Sequence, residues 1–169
     1  GVTAGRMTLA ATVEGSGYAL TSNAASAGLA GVFGSFSLTT RANGAVRGGG
    51  LLPQRYVAQA KTARDGRETQ LVFQDGVARV TRTDPLDPDA PVVDPARHRG
   101  ALDPLSGFYT VLRDTGPAQA CQLDFTMFDG QRISRVTLAS PSPEGDGMES
   151  RGPFGTPFRF GCRPEPAAV

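Results

Sequence analysis

Residues 121–138 read CQLDFTMFDGQRISRVTL, and the Asp129-Gly130 pair inside them decides the fold. Asp-Gly favours the positive φ of a type I′ turn, whose twist matches that of antiparallel strands. A two-residue loop there sets Met127 opposite Arg132, Phe125 opposite Ser134, Leu123 opposite Val136 and Cys121 opposite Leu138. Side chains alternate along a strand, so Cys121, Leu123, Phe125 and Met127 share the face that points to the core. Cys121 is then placed to receive Cys162 from a closing strand around residues 158–163.

Working outward, the same punctuation recurs at Gly15-Ser16-Gly17, Asn43-Gly44, Asp65-Gly66 and Asp75-Gly76, each a hairpin candidate. Between these signals the chain alternates. Met7, Leu9, Ala11 and Val13 share one face, as do Tyr18 and Leu20, Phe36 and Leu38, and Leu71 and Phe73. This predicts half-buried strands of an antiparallel sheet with one wet face. Gly48-Gly49-Gly50 lacks the Lys-Ser/Thr of a phosphate loop and precedes a strand, so it reads as a bulge or strand junction.

Two segments depart from the pattern. Leu29, Val32 and Phe33 suggest one or two helical turns, against the cost of Gly28, Gly31 and Gly34. In the second, Asp103 is an N-cap and Pro104 sits at N1. Leu105, Phe108, Val111 and Leu112 follow on one stripe, and Gly116-Pro117 is the stop. The spacing predicts a helix over about 104–114, packed on the sheet. Residues 83–102 carry Pro85, Pro88, Pro91 and Pro95 among four aspartates and read as an exposed, semi-extended loop.

The 169 residues are 39% hydrophobic and 20% charged, which argues against wholesale disorder, collagen and coiled coil for what reads as a single domain over 1–169. Seventeen basic and sixteen acidic side chains leave a net charge of +1, so no phosphate-backbone footprint and no nucleic-acid partner is expected. Lys61 is the only lysine, and the arginines are scattered from Arg6 to Arg163 rather than gathered into a surface. Residues 15–40 lack charge, but Gly, Ser, Thr and Asn interrupt them, so no transmembrane segment is expected. The chain opens at Gly1 without a basic n-region or an apolar h-region; an export signal was either removed or never present.

Cys121 and Cys162 fit neither a zinc spacing nor a redox CxxC pair. Two readings remain, a structural disulfide in an oxidising compartment or two buried free thiols. His98 is the only histidine, and a Ser106–His98–Asp triad can be written. Ser106 nonetheless lies in Asp-Pro-Leu-Ser-Gly, not in the Gly-x-Ser-x-Gly elbow that exposes a nucleophile, so helix-start packing is expected instead. Asp84, Asp87, Asp89 and Asp94 lack the alternate spacing and glycine of a calcium loop. Glu14, Glu68, Asp124 and Glu149 are carboxylates that only a fold could gather. No catalytic constellation, cofactor or metal site is assigned. Phe33, Phe36, Tyr56, Phe73, Phe108, Tyr109 and Phe125 either line an apolar groove over a curved sheet or fill its core.

Several pieces in order resemble the bacterial domain-of-unknown-function family 3108, a set of secreted envelope proteins. They are Val2-Thr3-Ala4-Gly5-Arg6, Tyr18-Ala19-Leu20-Thr21-Ser22, Gly28-Leu29 to Phe33, Gly50-Leu51-Leu52-Pro53-Gln54-Arg55-Tyr56 and Val72-Phe73. Asp103-Pro104-Leu105-Ser106 and Phe128-Asp129-Gly130-Gln131-Arg132 complete the match, over about residues 2–138. The cysteine pair is similar to that of an alphaproteobacterial branch. The resemblance implies export to the periplasm, which favours the disulfide. It also implies a mainly β fold, a curved antiparallel sheet or half-open β-barrel packed around one helix, with further C-terminal strands beyond those expected here. Family members suggest no catalytic residues. The expected function is non-enzymatic: binding an apolar or amphipathic envelope component, a lipid for instance, or assisting envelope assembly. The rivals are a carboxylate-dependent hydrolase of an envelope polymer and a module that binds a protein partner along an exposed strand edge.

Overall fold

The computed structural model describes residues 5–27, 35–85, 88, 92–113, 123–137, 150–151 and 157–158. Six consecutive strands form one antiparallel meander: β1 (Gly5–Glu14), β2 (Gly17–Ser26), β3 (Phe36–Arg47), β4 (Gly50–Thr62), β5 (Gly66–Gln74) and β6 (Val77–Asp84). Helix α1 (Pro104–Leu112) follows, then the hairpin β7 (Asp124–Phe128) and β8 (Ile133–Thr137), then the short pair β9 (Ser150–Arg151) and β10 (Pro157–Phe158). The protein is thus mainly β. Strands β1 and β6 lie at opposite edges of the meander, so the sheet is not closed into a barrel.

Turn chemistry explains the meander. Asp75 and Gly76 both have positive φ, 50° and 75°, which makes the β5–β6 loop a type I′ turn. Gly48 and Gly49 do the same between β3 and β4, with φ of 57° and 78°. At the first hairpin only Gly15 is positive, at 57°, the signature of a type II′ turn. Asp65-Gly66 also closes a hairpin, between β4 and β5, over a wider turn in which the Thr62 hydroxyl accepts from the Arg64 and Asp65 amides.

Asn43-Gly44 is a correction: it is no turn but the middle of β3, where the register with β4 shifts. A Cβ on Gly44 would run into the Leu52 carbonyl oxygen and lie 2.8 Å from Cε1 of Tyr18 and 2.9 Å from the Cα of Pro53. The glycine admits a close backbone approach and not a reversal.

One face of the sheet is buried. Its central row runs Leu20, Ala42, Tyr56, Leu71 across β2 to β5, with the neighbouring row Ser22, Thr40, Ala58, Thr69. Helix α1 packs against β2, β3 and β4, while the tip of the β7–β8 hairpin rests on β5, where Gly130 approaches Thr69 and Leu71. Strand β1 lies beyond both covers. Its inward face was expected to be half-buried: Leu9 does pack against the core, while Met7 and Val13 are 49% and 51% exposed.

Three further expectations are corrected. The β7–β8 loop has four residues, not two, because Phe128 pairs with Ile133 and Phe125 with Val136. The Asp129 carboxylate accepts from the amides of Gln131 and Arg132, and this wider turn displaces the register by two residues, which preserves the faces. The helix ends at Leu112, since Arg113 turns extended and its guanidinium donates to the Gly49 carbonyl. Burial along α1 is concentrated in its first turn and does not follow a single stripe: Leu105, Ser106 and Gly107 are buried, whereas Phe108 and Leu112 reach solvent.

The loop over 83–102 is also more ordered than expected. Asp94 caps a short 3-10 helix, Pro95–His98, by accepting from the Ala96 amide, and Ala101 and Leu102 are core residues. Leu102 bridges to β7, donating to Thr126 and accepting from Phe128. The helical turns suggested at Leu29, Val32 and Phe33 lie outside the described residues, as do Cys121, Cys162 and the closing strand beyond Phe158.

Candidate functional site

Two polar arrangements stand out, one inside the core and one at its rim. Inside, Asp103 ends the chain's approach to α1 and is fully buried. One of its carboxylate oxygens accepts from the amides of Leu105 and Ser106, the other from the Ser106 hydroxyl at 2.6 Å. With that proton committed, the Ser106 oxygen accepts from the Tyr18 hydroxyl at 2.9 Å. A chain of hydrogen bonds thus runs from β2 to the first turn of α1.

Burial disfavours charge throughout this chain. Loss of hydration raises the Asp103 carboxyl to about 6, against the pull of the bonds from Ser106 and Leu105. Burial likewise pushes the hydroxyls of Tyr18 and Tyr56 above the usual tyrosine range, with the Asp103 carboxylate adding to the shift. Ser106 is fully buried with its hydroxyl in two bonds, and it holds the helix start. The written triad does not assemble around it, because the Asp103 carboxylate takes its proton and His98 sits in the separate 3-10 turn.

At the rim, an open cleft of about 560 Å³ is lined by Val92, Val93, Asp94, Arg97, His98, Arg132 and Ile133. The 3-10 turn supplies Arg97 and His98, and the β7–β8 turn supplies Arg132. Asp94 holds the Nε of Arg97 at 3.5 Å. Val93 and Ile133 pack against the core from below, and Val92 is fully exposed. The cleft is therefore amphipathic, with branched aliphatic walls beside two guanidinium groups, an imidazole and the Asp94 carboxylate that pairs with Arg97.

The aromatic set of the expected groove divides. Tyr56 and Phe73 are core residues, Tyr109 and Phe125 pack against the core, Phe36 and Phe108 are 42% and 38% exposed, and Phe33 lies outside the described residues. The carboxylates are not gathered: Glu14 ends β1, Glu68 on β5 binds Gln59, Gln70 and Arg82, and Asp124 on β7 forms a two-pronged pair with Arg135. Glu149 lies outside the described residues. Among the described residues no three His, Cys, Asp or Glu side chains meet in a metal-binding group, and no helix is long and apolar enough to cross a membrane.

Sequence reasoning missed the cleft, although a signal was present. Asp94-Pro95 repeats the Asp-Pro helix start of Asp103-Pro104, and reading it would have placed Arg97 and His98 on an ordered turn. The contact between Tyr18 and Ser106 spans 88 positions and left no local trace.

Fold and site together define a class: an open antiparallel sheet, covered on one face by a capped helix and a hairpin, with an amphipathic cleft at the rim. The chain belongs to the family described as protein of unknown function (DUF3108), whose model matches residues 1–144. No curated protein and no solved structure matches it.

Proposed function

We propose that the protein is a non-enzymatic periplasmic component that binds an anionic amphipathic molecule of the cell envelope in the cleft beside the 3-10 turn. The observation that supports this is the pairing of Arg97, His98 and Arg132 with Val92, Val93 and Ile133 around one opening. A carboxylate or phosphate head meets the guanidinium forks, whose planar donors match two-oxygen anions. An acyl chain lies on the aliphatic side, where each buried methylene contributes about 0.8 kcal/mol.

Titration with a long-chain fatty acid and with its neutral methyl ester tests the reading. The acid is expected to bind tighter by about tenfold or more, and Arg97→Ala with Arg132→Ala to remove that preference, since a charge-assisted hydrogen bond is worth about 1.5–3 kcal/mol. Equal binding of acid and ester, or a preference that survives both substitutions, rejects the assignment.

A further inference from the structure

Strand β1 is the outer strand on one side of the sheet. The two-residue Gly15-Ser16 loop makes Glu14 and Gly17 the hydrogen-bonded pair that closes the hairpin, and the pairing continues without a shift to Gly5 and Ser26. In an antiparallel ladder such pairs alternate, so the even-numbered residues of β1 direct their N–H and C=O groups to β2. Met7, Leu9, Ala11 and Val13 direct theirs outward. That edge has no proline and no bulge, and from Arg6 to Glu14 its only charges are at the two ends, whereas natural edges are usually blunted by such devices.

Folded about Ala10, the run RMTLAATVE is complementary to itself. Arg6 meets Glu14, Met7 meets Val13, Thr8 meets Thr12 and Leu9 meets Ala11. We propose that β1 pairs antiparallel with β1 of a second copy of this chain, about a two-fold axis at Ala10, joining two six-stranded sheets into one.

Three observations support this register. Among the described residues Arg6 and Glu14 form no ion pair, and the register supplies two, Arg6 with the partner's Glu14 and Glu14 with the partner's Arg6. These are even-numbered positions, which become non-hydrogen-bonded pairs of the new ladder, where facing side chains lie closest. On the other face, Met7 and Val13, 49% and 51% exposed, cover one another across the axis. A parallel arrangement in register sets Arg6 against the partner's Arg6, and sliding the strands by two residues separates the opposite charges. The pairing is independent of the rim cleft.

Sedimentation equilibrium of the full chain from about 1 to about 200 µM, a range that brackets micromolar affinity, tests the proposal. The chain is expected to dimerise reversibly. Arg6→Glu alone and Glu14→Arg alone each set like charges opposite one another and weaken the dimer by about tenfold or more, a cost of about 1.4 kcal/mol. An equimolar mixture of the two variants, and the double exchange in one chain, restore it. Under oxidation Ala10→Cys cross-links two chains at the axis, while Thr8→Cys, which faces the partner's Thr12, does not. A chain that stays monomeric over this range, a dimer indifferent to the charge reversals, or cross-linking of Thr8→Cys equal to that of Ala10→Cys overturns the assignment.

Discussion

Asp103 carries two duties that oppose each other. As an N-cap it is best ionised, since its carboxylate accepts three hydrogen bonds, yet full burial removes the water that would stabilise the charge. Burial wins, and the carboxyl rises from the ordinary 3.8 to about 6. Between these values the native state holds a proton that the unfolded chain has lost, so this group's contribution is full below pH 4 and is lost as pH climbs through 6. The rise corresponds to about 3 kcal/mol. Asp103→Asn keeps a carbonyl oxygen for the Leu105 and Ser106 amides and cannot titrate. Urea unfolding of the wild type is expected to show this decline between pH 4 and 7, and the variant a flatter profile; parallel profiles for the two count against burial as the cause. Asp-Pro in the sequence reveals the cap, but nothing local reveals the burial, which comes with the packing of α1 on the distant strands β2, β3 and β4.

Among the elements, those fixed by local chemistry were legible and those fixed by approach were not. Glycine-containing pairs marked the β1–β2 and β5–β6 turns, because positive φ is written into the residues that tolerate it. Asn43-Gly44 carries the same letters, yet Gly44 is there so that the Leu52 backbone and the Tyr18 ring can come close, a need set by β2 and β4. The outward position of Phe108 was equally hidden, since the rotation of α1 depends on Gly107 lying against Met127 and Phe125. The two glycines differ in what surrounds them. A Cβ at Gly107 meets only side-chain atoms, Cγ of Met127 at 2.8 Å and Cε2 of Phe125 at 3.0 Å among them, and alanine regains about 1 kcal/mol of helix propensity. A Cβ at Gly44 meets backbone, which cannot swing aside. Gly44→Ala is therefore expected to cost about 2–3 kcal/mol and Gly107→Ala about 1 kcal/mol or less, read from urea midpoints. Equal losses at the two sites would contradict this account of the β3 bulge.

For the whole molecule, the covers over the sheet are unequal. Helix α1 and the β7–β8 hairpin lie on β2 to β5, leaving the β1 margin to solvent, so stability is concentrated around Leu20, Tyr56 and Leu71. The compartment then matters through Cys121 and Cys162. If export to an oxidising space joins them, the bond closes a loop of about forty residues and contributes about 4 kcal/mol by restricting the unfolded chain. That is a large part of the 5–15 kcal/mol that typically separates folded from unfolded states. Protein recovered from an oxidising compartment is expected to show no alkylatable thiol until unfolded and reduced, and reduction is expected to lower the urea midpoint and to steepen the slope, because the released unfolded chain expands and exposes more surface. Both thiols alkylating in unfolded, unreduced protein would place the chain among proteins with free buried cysteines and remove the support that this pair gives to a periplasmic location.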